Sequence, residues 1–156
     1  MTRKIDKIFS KDTNNKDIYV ISEIGVNHNG SLEEALKLID ASANAGVDAV
    51  KFQKRNLEKI YSKKILDDPN SAEWSLDYLI PLLKEVELSK DDYYVIKDRC
   101  EELGLDLIVT PFDEDSAEFV ASLDITAFKI ASADMINFGL IDKCASYGKP
   151  LIISTG

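Results

Sequence analysis

Residues 106–130, DLIVTPFDEDSAEFVASLDITAFKI, decide the fold, because they hold two short apolar runs with an amphipathic stretch between them. The runs Asp106–Thr110 and Ala127–Ile130 are short and rich in Val, Ile and Phe, as strands are. Glu114–Leu123 has the length and the spacing of a helix. A strand, a helix and a second strand in this order predict a parallel βαβ unit with a right-handed crossover.

The same rhythm extends outward on both sides of this unit. Further strands are predicted at Ile18–Glu23, Asp48–Gln53 and Leu151–Ser154, and further helices at Ser31–Ala45, Ser89–Leu103 and Phe138–Tyr147. Ser31 and Ser89 stand where helix N-caps are expected, and Gly46, Gly104 and Gly148 each follow a last helical turn. The order predicts an α/β fold with one parallel sheet covered by helices.

Two segments fall outside this rhythm. Residues 1–17 are charged and polar, and we interpret them as a leader without an apolar signal sequence. Residues 55–87 form an insert that we predict to be a short helical excursion, with an amphipathic piece at Trp74–Leu83 interrupted by Pro81. The alternative for the insert is a packed surface flap without chemistry.

Composition excludes several classes of protein. The chain has 156 residues and a formal net charge of −9, which argues against binding a nucleic acid over a broad surface. No run approaches the roughly 18 apolar residues of a membrane span. Cys100 and Cys144 are too few for a disulfide framework or a four-ligand zinc site. We expect a soluble cytoplasmic protein with reduced thiols and no membrane partner.

The ends of the strands carry the candidate functional residues. With side chains alternating at period 2, each predicted strand places a polar or ionisable group on one face near its carboxyl end, and parallel α/β folds bind ligands at that end. These groups are Glu23, Lys51, Gln53, Thr110, Lys129 and Ser154. Any one of them is also explained as a loop anchor.

Lys51 and Lys129 are the most informative of these residues, because a lysine in a buried strand needs an anion. A phosphate or carboxylate ligand would supply it, and a structural ion pair with Glu23 is the alternative. The polar turn at residues 25–30 contains Asn27 and His28 just before a helix and could hold an oxygen-rich ligand. Alternatively, its Asn and Gly residues serve only the backbone of the turn.

Five segments of the chain resemble the sialic acid synthase family, in the same order. They are residues 22–30 (SEIGVNHNG), 45–53 (AGVDAVKFQ), 110–113 (TPFD), 128–132 (FKIAS) and 153–156 (ISTG). This family condenses phosphoenolpyruvate with an N-acetylated amino sugar, typically N-acetylmannosamine, and releases phosphate as it forms a nine-carbon 2-keto acid. Close relatives make legionaminic or pseudaminic acid, so the acceptor sugar stays open.

The resemblance implies roles for individual residues. Lys51, Lys129, Ser132 and Ser154 match positions that hold the phosphate and carboxylate of phosphoenolpyruvate, and Gln53 and Thr110 match neighbouring binding positions. Glu23 matches a carboxylate near the acceptor sugar and the reacting carbons, so we name Glu23, Lys51 and Lys129 as catalytic candidates. Asn27, Gln53, Thr110, Ser132 and Ser154 are the substrate-binding candidates. A divalent metal, Mn²⁺ or Mg²⁺, is implied as cofactor, and a homodimer is implied as the assembly.

The fold implied by the resemblance is a (β/α)₈ TIM barrel. Such a barrel has eight strands and typically about 250 residues, so we expect residues 1–156 to form its N-terminal part with the first five strands. The metal-binding His residues, the C-terminal half of the barrel and an antifreeze-like domain are expected outside this sequence. We therefore expect the 156-residue chain alone to be inactive.

Two other functions remain open on the sequence. A Schiff-base aldolase would also place a lysine at a barrel strand end, with Lys129 as nucleophile. Five βα units also match the size of a flavodoxin-like doubly wound domain, which would make the chain a non-catalytic binding or assembly module.

Overall fold

The computed structural model describes Ile5, residues 18–72 and residues 76–156. The predicted leader, apart from Ile5, and Trp74 of the insert lie outside the described residues. The strands are β1 (Ile21–Gly25), β2 (Ala49–Lys54), β3 (Asp106–Pro111), β4 (Ala127–Ile130) and β5 (Leu151–Ile153). The helices are α1 (Leu32–Asn44), α2 (Leu57–Ile60), α3 (Lys63–Asp67), α4 (Leu79–Glu85), α5 (Lys90–Glu102), α6 (Glu114–Ser122) and α7 (Phe138–Ser146), with short 3₁₀ turns at Pro69–Ser71 and Ser132–Asp134.

The five strands form one parallel sheet in the sequential order β1-β2-β3-β4-β5. A doubly wound sheet reverses direction at a switch point, so its spatial order departs from its chain order. The flavodoxin-like alternative is therefore wrong, since each new strand here adds on the same side of the last. Sequential addition is the order of a (β/α)₈ barrel, and the sheet corresponds to its first five strands.

The sheet has a different core on each face. Helices cover the outer face, where Phe52, Val109 and Phe128 pack with Tyr93 and Ile96 of α5. The inner face carries a smaller apolar cluster formed by Ile5, Ala49, Ile108 and Ala127, with Tyr19, Ile21 and Ile152 packed against it. The register places Ile21 and Ala49 one layer toward the amino ends of the strands, and Ile108 and Ala127 level with Lys51.

Both predicted N-caps are confirmed. Ser31 Oγ accepts a hydrogen bond from the backbone N–H of Glu34 at 3.3 Å. Ser89 and Asp92 form a reciprocal capping box at the start of α5. Strand β1 begins at Ile21 rather than Ile18, because the side chain of Asp48 accepts the backbone N–H of Val20 at 2.7 Å in place of a ladder bond.

The insert is helical, as predicted, with three short helices and a 3₁₀ turn. The expected interruption at Pro81 is wrong: Pro81 lies in the first turn of α4, where its missing N–H needs no intrahelical partner. Both ends of the insert are fixed to the barrel. Asn56 N–H donates to Asp113 Oδ2 at 2.7 Å, and the carboxylate of Glu87 accepts from Lys54 Nζ at 2.5 Å.

A further contact joins the insert to the loop after β1. Gly30 has a φ of +75°, and a Cβ at this position would lie 2.2 Å from the backbone oxygen of Glu85. Glycine is therefore required both for the left-handed conformation and for the close approach. Among the helices of residues 18–72 and 76–156, none combines the length and apolar character needed to cross a bilayer.

Candidate functional site

Five of the predicted site residues meet at the carboxyl edge of the inner sheet face. Glu23, Lys51, Thr110 and Lys129 project from β1, β2, β3 and β4, and Ser154 directly follows β5. The parallel register aligns Glu23 with Lys51, and the period of two brings Thr110 and Lys129 to the same level one layer higher. The prediction that both lysines share one face of the sheet is confirmed.

Lys51 is buried, with only 5% of its surface exposed, and its ammonium group has two polar partners. Its Nζ lies 3.0 Å from Glu23 Oε2 and donates a hydrogen bond to Thr110 Oγ1 at 3.1 Å. The ion pair that the sequence left open is thus present for Lys51. Glu23 is the exposed member of the pair, so its carboxylate is accessible from the site.

Lys129 is half-buried and has neutral partners. Its Nζ donates to Ser154 Oγ at 2.5 Å and to the carbonyl oxygen of Ile130 at 2.7 Å. Burial lowers the pKa of Lys129, the positive charge of Lys51 lowers it further, and the carboxylate of Glu23 partly opposes both effects. Two ammonium groups near one carboxylate leave a positive charge that an anionic ligand would neutralise.

The remaining three candidates contact other groups. Gln53 Oε1 accepts a hydrogen bond from the guanidinium of Arg55, and Asn27 Nδ2 donates to the carbonyl oxygen of Ile24 at 2.9 Å. Ser132 is exposed at the start of its 3₁₀ turn. Substrate binding by Asn27, Gln53 and Ser132 stays a prediction.

His28 serves the turn after β1. Its ring is buried and stacks on Phe52 with centroids 5.8 Å apart, and its Nδ1 accepts the N–H of Gly30 at 3.1 Å. Burial lowers its pKa, which favours the neutral ring that this hydrogen bond requires.

The residues that the structure describes contain no group of three His, Cys, Asp or Glu side chains arranged to bind a metal ion. They therefore do not form the divalent-metal site that the resemblance implies.

Sequence reasoning misses a second polar cluster at the carboxyl end of β2, formed by the last residue of the strand and the one that follows it. Lys54 and Arg55 are both buried, although each carries a charge. Lys54 Nζ contacts Glu87, donates to the carbonyl oxygen of Leu88 at 2.8 Å and lies 5.4 Å from the ring centroid of Tyr93. The available signal is the pair of adjacent cations after a buried strand, which places Lys54 on the face opposite Lys51.

Comparison with known proteins places these features in a family. Residues 38–156 match the model of the NeuB family. The chain is 39% identical over 142 residues to the N,N'-diacetyllegionaminic acid synthase of Legionella pneumophila, covering 88% of this chain and 39% of the relative. It is 39% identical over 140 residues to the N-acetylneuraminate-9-phosphate synthase of Drosophila melanogaster, covering 89% and 38%. The chain thus spans about two fifths of the length of these curated relatives.

Solved structures agree with these relatives. The N-acetylneuraminic acid synthetase of Leptospira borgpetersenii, in complex with citrate, superposes with a TM-score of 0.78 at 29% identity, covering 90% of this chain and 45% of that one. A 3-deoxy-D-arabino-heptulosonate 7-phosphate synthase of Thermotoga maritima superposes with a TM-score of 0.60 at 16% identity, covering 88% and 40%, and shows the shared fold. On this family match and these identities, the chain belongs to the NeuB family.

Proposed function

We propose that the complete protein condenses phosphoenolpyruvate with an N-acetylated amino sugar, forms a nine-carbon 2-keto sugar acid of the sialic acid type and releases phosphate. The observation that supports this most directly is the pair Lys51 and Lys129, with Thr110 and Ser154 as hydroxyl partners, at the carboxyl edge of a barrel sheet. Two cations and two hydroxyls match the carboxylate and the phosphate of this substrate.

The chemistry requires one carbon–carbon bond and one carbon–oxygen bond, the latter from water, to form, and the carbon–oxygen bond to phosphate to break. C3 of phosphoenolpyruvate attacks the aldehyde carbon of the open-chain sugar, and the aldehyde oxygen gains a proton. Water then adds to C2, and phosphate leaves from the same carbon to give the 2-keto group. Positive charge held beside the phosphate stabilises the departing anion.

The side chains of this chain divide into two roles in the proposal. Lys51 and Lys129 hold the anionic groups, with Thr110 and Ser154 fixing the directions of their ammonium groups. Glu23 contacts Lys51 and is accessible, so it is placed to accept the proton of the attacking water. The apolar cluster of Ala49, Ile108 and Ala127 lines the inner face beside and below Lys51.

The acceptor is proposed as an N-acetylated amino sugar: N-acetylmannosamine, its 6-phosphate, or the precursor of legionaminic or pseudaminic acid. Condensation adds three carbons ahead of the aldehyde carbon, so position 6 of the acceptor becomes position 9 of the product. One relative is named for a 9-phosphate product, and another is named for N,N'-diacetyllegionaminic acid. A divalent metal that polarises the aldehyde and a homodimeric assembly are proposed for the complete protein.

The test is phosphate release by the complete protein from phosphoenolpyruvate and N-acetylmannosamine, with and without added Mn²⁺. Phosphate and a nine-carbon 2-keto acid should form in equal amounts. The competing Schiff-base aldolase is supported by the lowered pKa of Lys129, which favours a nucleophilic amine. Covalent trapping of pyruvate on Lys129 by borohydride would establish the aldolase and overturn the synthase, since the condensation forms no imine.

A further inference from the structure

A cavity of about 820 Å³ lies outside the inner-face site, between the insert and helix α6. The carboxyl end of β2 contributes Lys54 and Arg55 to its wall, the insert contributes Leu57 and Leu66, and α6 contributes Phe119. This volume is within the range of small-molecule sites in proteins, which is roughly 300–1,000 Å³. None of the residues proposed above to hold phosphoenolpyruvate lines it.

Arg55 is the distinctive group of this cavity. It is only 6% exposed, and its guanidinium lies 4.6 Å from the ring centroid of Phe112. Its side chain donates to Gln53 Oε1, and among the described residues no carboxylate approaches the guanidinium within 4.0 Å. Among the described residues, Ser71 Oγ is the one buried side-chain polar atom without a partner, so the other guanidinium N–H groups of Arg55 reach solvent in the cavity, where an oxyanion can pair with them.

Glu87 does not fill that role with its own carboxylate. It accepts from Lys54 Nζ and from the backbone N–H of Arg55, and it acts on the guanidinium only through its charge. Burial still lowers the pKa of Arg55, and the charge of Glu87 opposes this only in part. The cation is thus desolvated without a direct carboxylate partner in the described part of the chain.

The cavity is positive against the background of an acidic protein. Lys54 pairs with Glu87, and Asp115 pairs with Lys59, which lies outside the wall. Among the described residues that line the cavity, the cations without an ion pair are Arg55, Lys63, Lys84 and Lys90. The acidic side chains without one are Glu58 and Asp67. The whole chain carries a net charge of −9, so this local excess is contrary to the average surface.

We propose that this cavity binds a phosphomonoester, with the phosphoryl oxygens on Arg55 and the organic part against Leu57, Leu66 and Phe119. Arg55 offers the planar fork of donors that fits phosphate, and the lysines at the rim attract the dianion. Gln53 faces the inner site and touches Arg55, so the two sites are adjacent. The phosphate group comes either from a phosphorylated acceptor or from a separate metabolite, and the site goes beyond the function proposed above.

The primary experiment is calorimetric titration of the full-length protein with inorganic phosphate, in the wild type and in the Arg55→Met and Lys129→Met variants. Arg55→Met should weaken one class of phosphate site at least tenfold, and Lys129→Met should leave that class intact. If Arg55→Met binds inorganic phosphate at the same number of sites and with the same affinities as the wild type, the proposal is overturned. If Lys129→Met binds phosphate with the same sites and affinities as the wild type while Arg55→Met loses a site, only the inner-face assignment is contradicted.

A second pair of variants covers the case in which Arg55→Met fails to fold. Lys63 lines the cavity and its neighbour Lys64 does not, although both are exposed on α3. Lys63→Met should weaken the same phosphate site about threefold, whereas Lys64→Met should match the wild type. Equal affinities in the two variants would contradict the proposed site.

The source of the phosphate group is distinguished by steady-state assays. If the phosphate belongs to the acceptor, Arg55→Met raises the KM for N-acetylmannosamine 6-phosphate and leaves the KM for N-acetylmannosamine unchanged. If it belongs to a separate metabolite, both KM values stay the same while phosphate binding is still lost. Either pattern supports the site, and retained phosphate binding overturns it.

Discussion

The two lysines of the inner face differ in their partners, and this difference governs how each responds to pH. Lys51 lies against the carboxylate of Glu23, whereas Lys129 is bonded to a hydroxyl and a carbonyl oxygen. Burial and the charge of Lys51 therefore lower the pKa of Lys129 in the empty site. An anionic substrate binds the protonated form, so binding raises that pKa again.

The affinity for phosphoenolpyruvate should consequently begin to fall at a lower pH than it would if the pKa of Lys129 were that of an exposed lysine. As the pH rises toward the lowered pKa of Lys129, the ammonium loses its proton and the attraction to phosphoenolpyruvate weakens. In the Lys129→Arg variant this alkaline loss should move to higher pH, because a guanidinium stays protonated. The measurement is kcat/KM for phosphoenolpyruvate against pH, and identical alkaline limbs would contradict the assignment of Lys129.

Removing the Lys129 charge should raise the KM for phosphoenolpyruvate. Loss of one partner of a charge pair costs on the order of 2 kcal/mol, or about 30-fold, in Lys129→Met. Lys143→Met is the matched control, because Lys143 is paired with Glu118 on the outer helices. A KM in Lys129→Met equal to that of the control would remove Lys129 from the site.

Glu23→Gln should act mainly on kcat. The carboxylate that accepts a proton in the proposal is lost, and general-base contributions are roughly 100-fold or more. The negative charge of Glu23 raises the pKa of Lys129, so the variant should also move the alkaline limb to lower pH. Steady-state kinetics across pH checks both effects, and an unchanged kcat would show that Glu23 takes no part in the chemistry.

The inward-facing residues can be predicted because alternation along a strand is a local property. Lys51 and Lys129 follow from this alternation, and their contacts follow from the parallel register. Arg55 cannot be found in this way, because its burial depends on packing against Phe112, which is distant in sequence.

At the scale of elements, the insert is defined by its two attachments rather than by its helices. Its first residues are held by Asp113, which also caps α6 through Ser116 N at 2.8 Å. Its last residues are held by Lys54 and by the close contact of Gly30 with Glu85. Helical content in the insert can be predicted from periodicity, but these attachments join residues about 30 to 60 positions apart and leave no local pattern.

Gly30→Ala should destabilise the protein more than Gly46→Ala, although both glycines have a positive φ. Gly46 has a φ of +77°, and a Cβ added there would meet no atom within 4 Å, so Gly46→Ala costs only the left-handed conformation, roughly 1–2 kcal/mol. Gly30→Ala adds the clash with Glu85, and we expect about 2 kcal/mol more. Urea unfolding of both variants gives the difference, and equal free energies of unfolding would mean that the loop and the insert are not in contact.

At the scale of the whole molecule, the sheet has two edges, β1 and β5. Large apolar side chains are exposed near both of them, with Ile18 at 77%, Val20 at 47% and Ile153 at 44%. Unpaired edge strands with apolar neighbours favour pairing with another chain. In a closed barrel, further strands would cover both edges.

Residues 1–156 expressed alone should therefore self-associate. Sedimentation velocity should show a mass that rises with concentration, and a variant carrying Val20→Lys and Ile153→Lys should associate less, because lysine at an edge disfavours pairing. A wild-type segment that stays monomeric throughout the concentration range would contradict this expectation.

The double attachment of the insert also bears on how such a protein can diversify. Its middle, between Asn56 and Glu85, makes neither of these contacts, so it can change in length and composition while the two ends stay attached. New ligand preferences at the rim can then arise without disturbing the inner face. Sequence change in the outer cavity can therefore be separate from change at the strand ends.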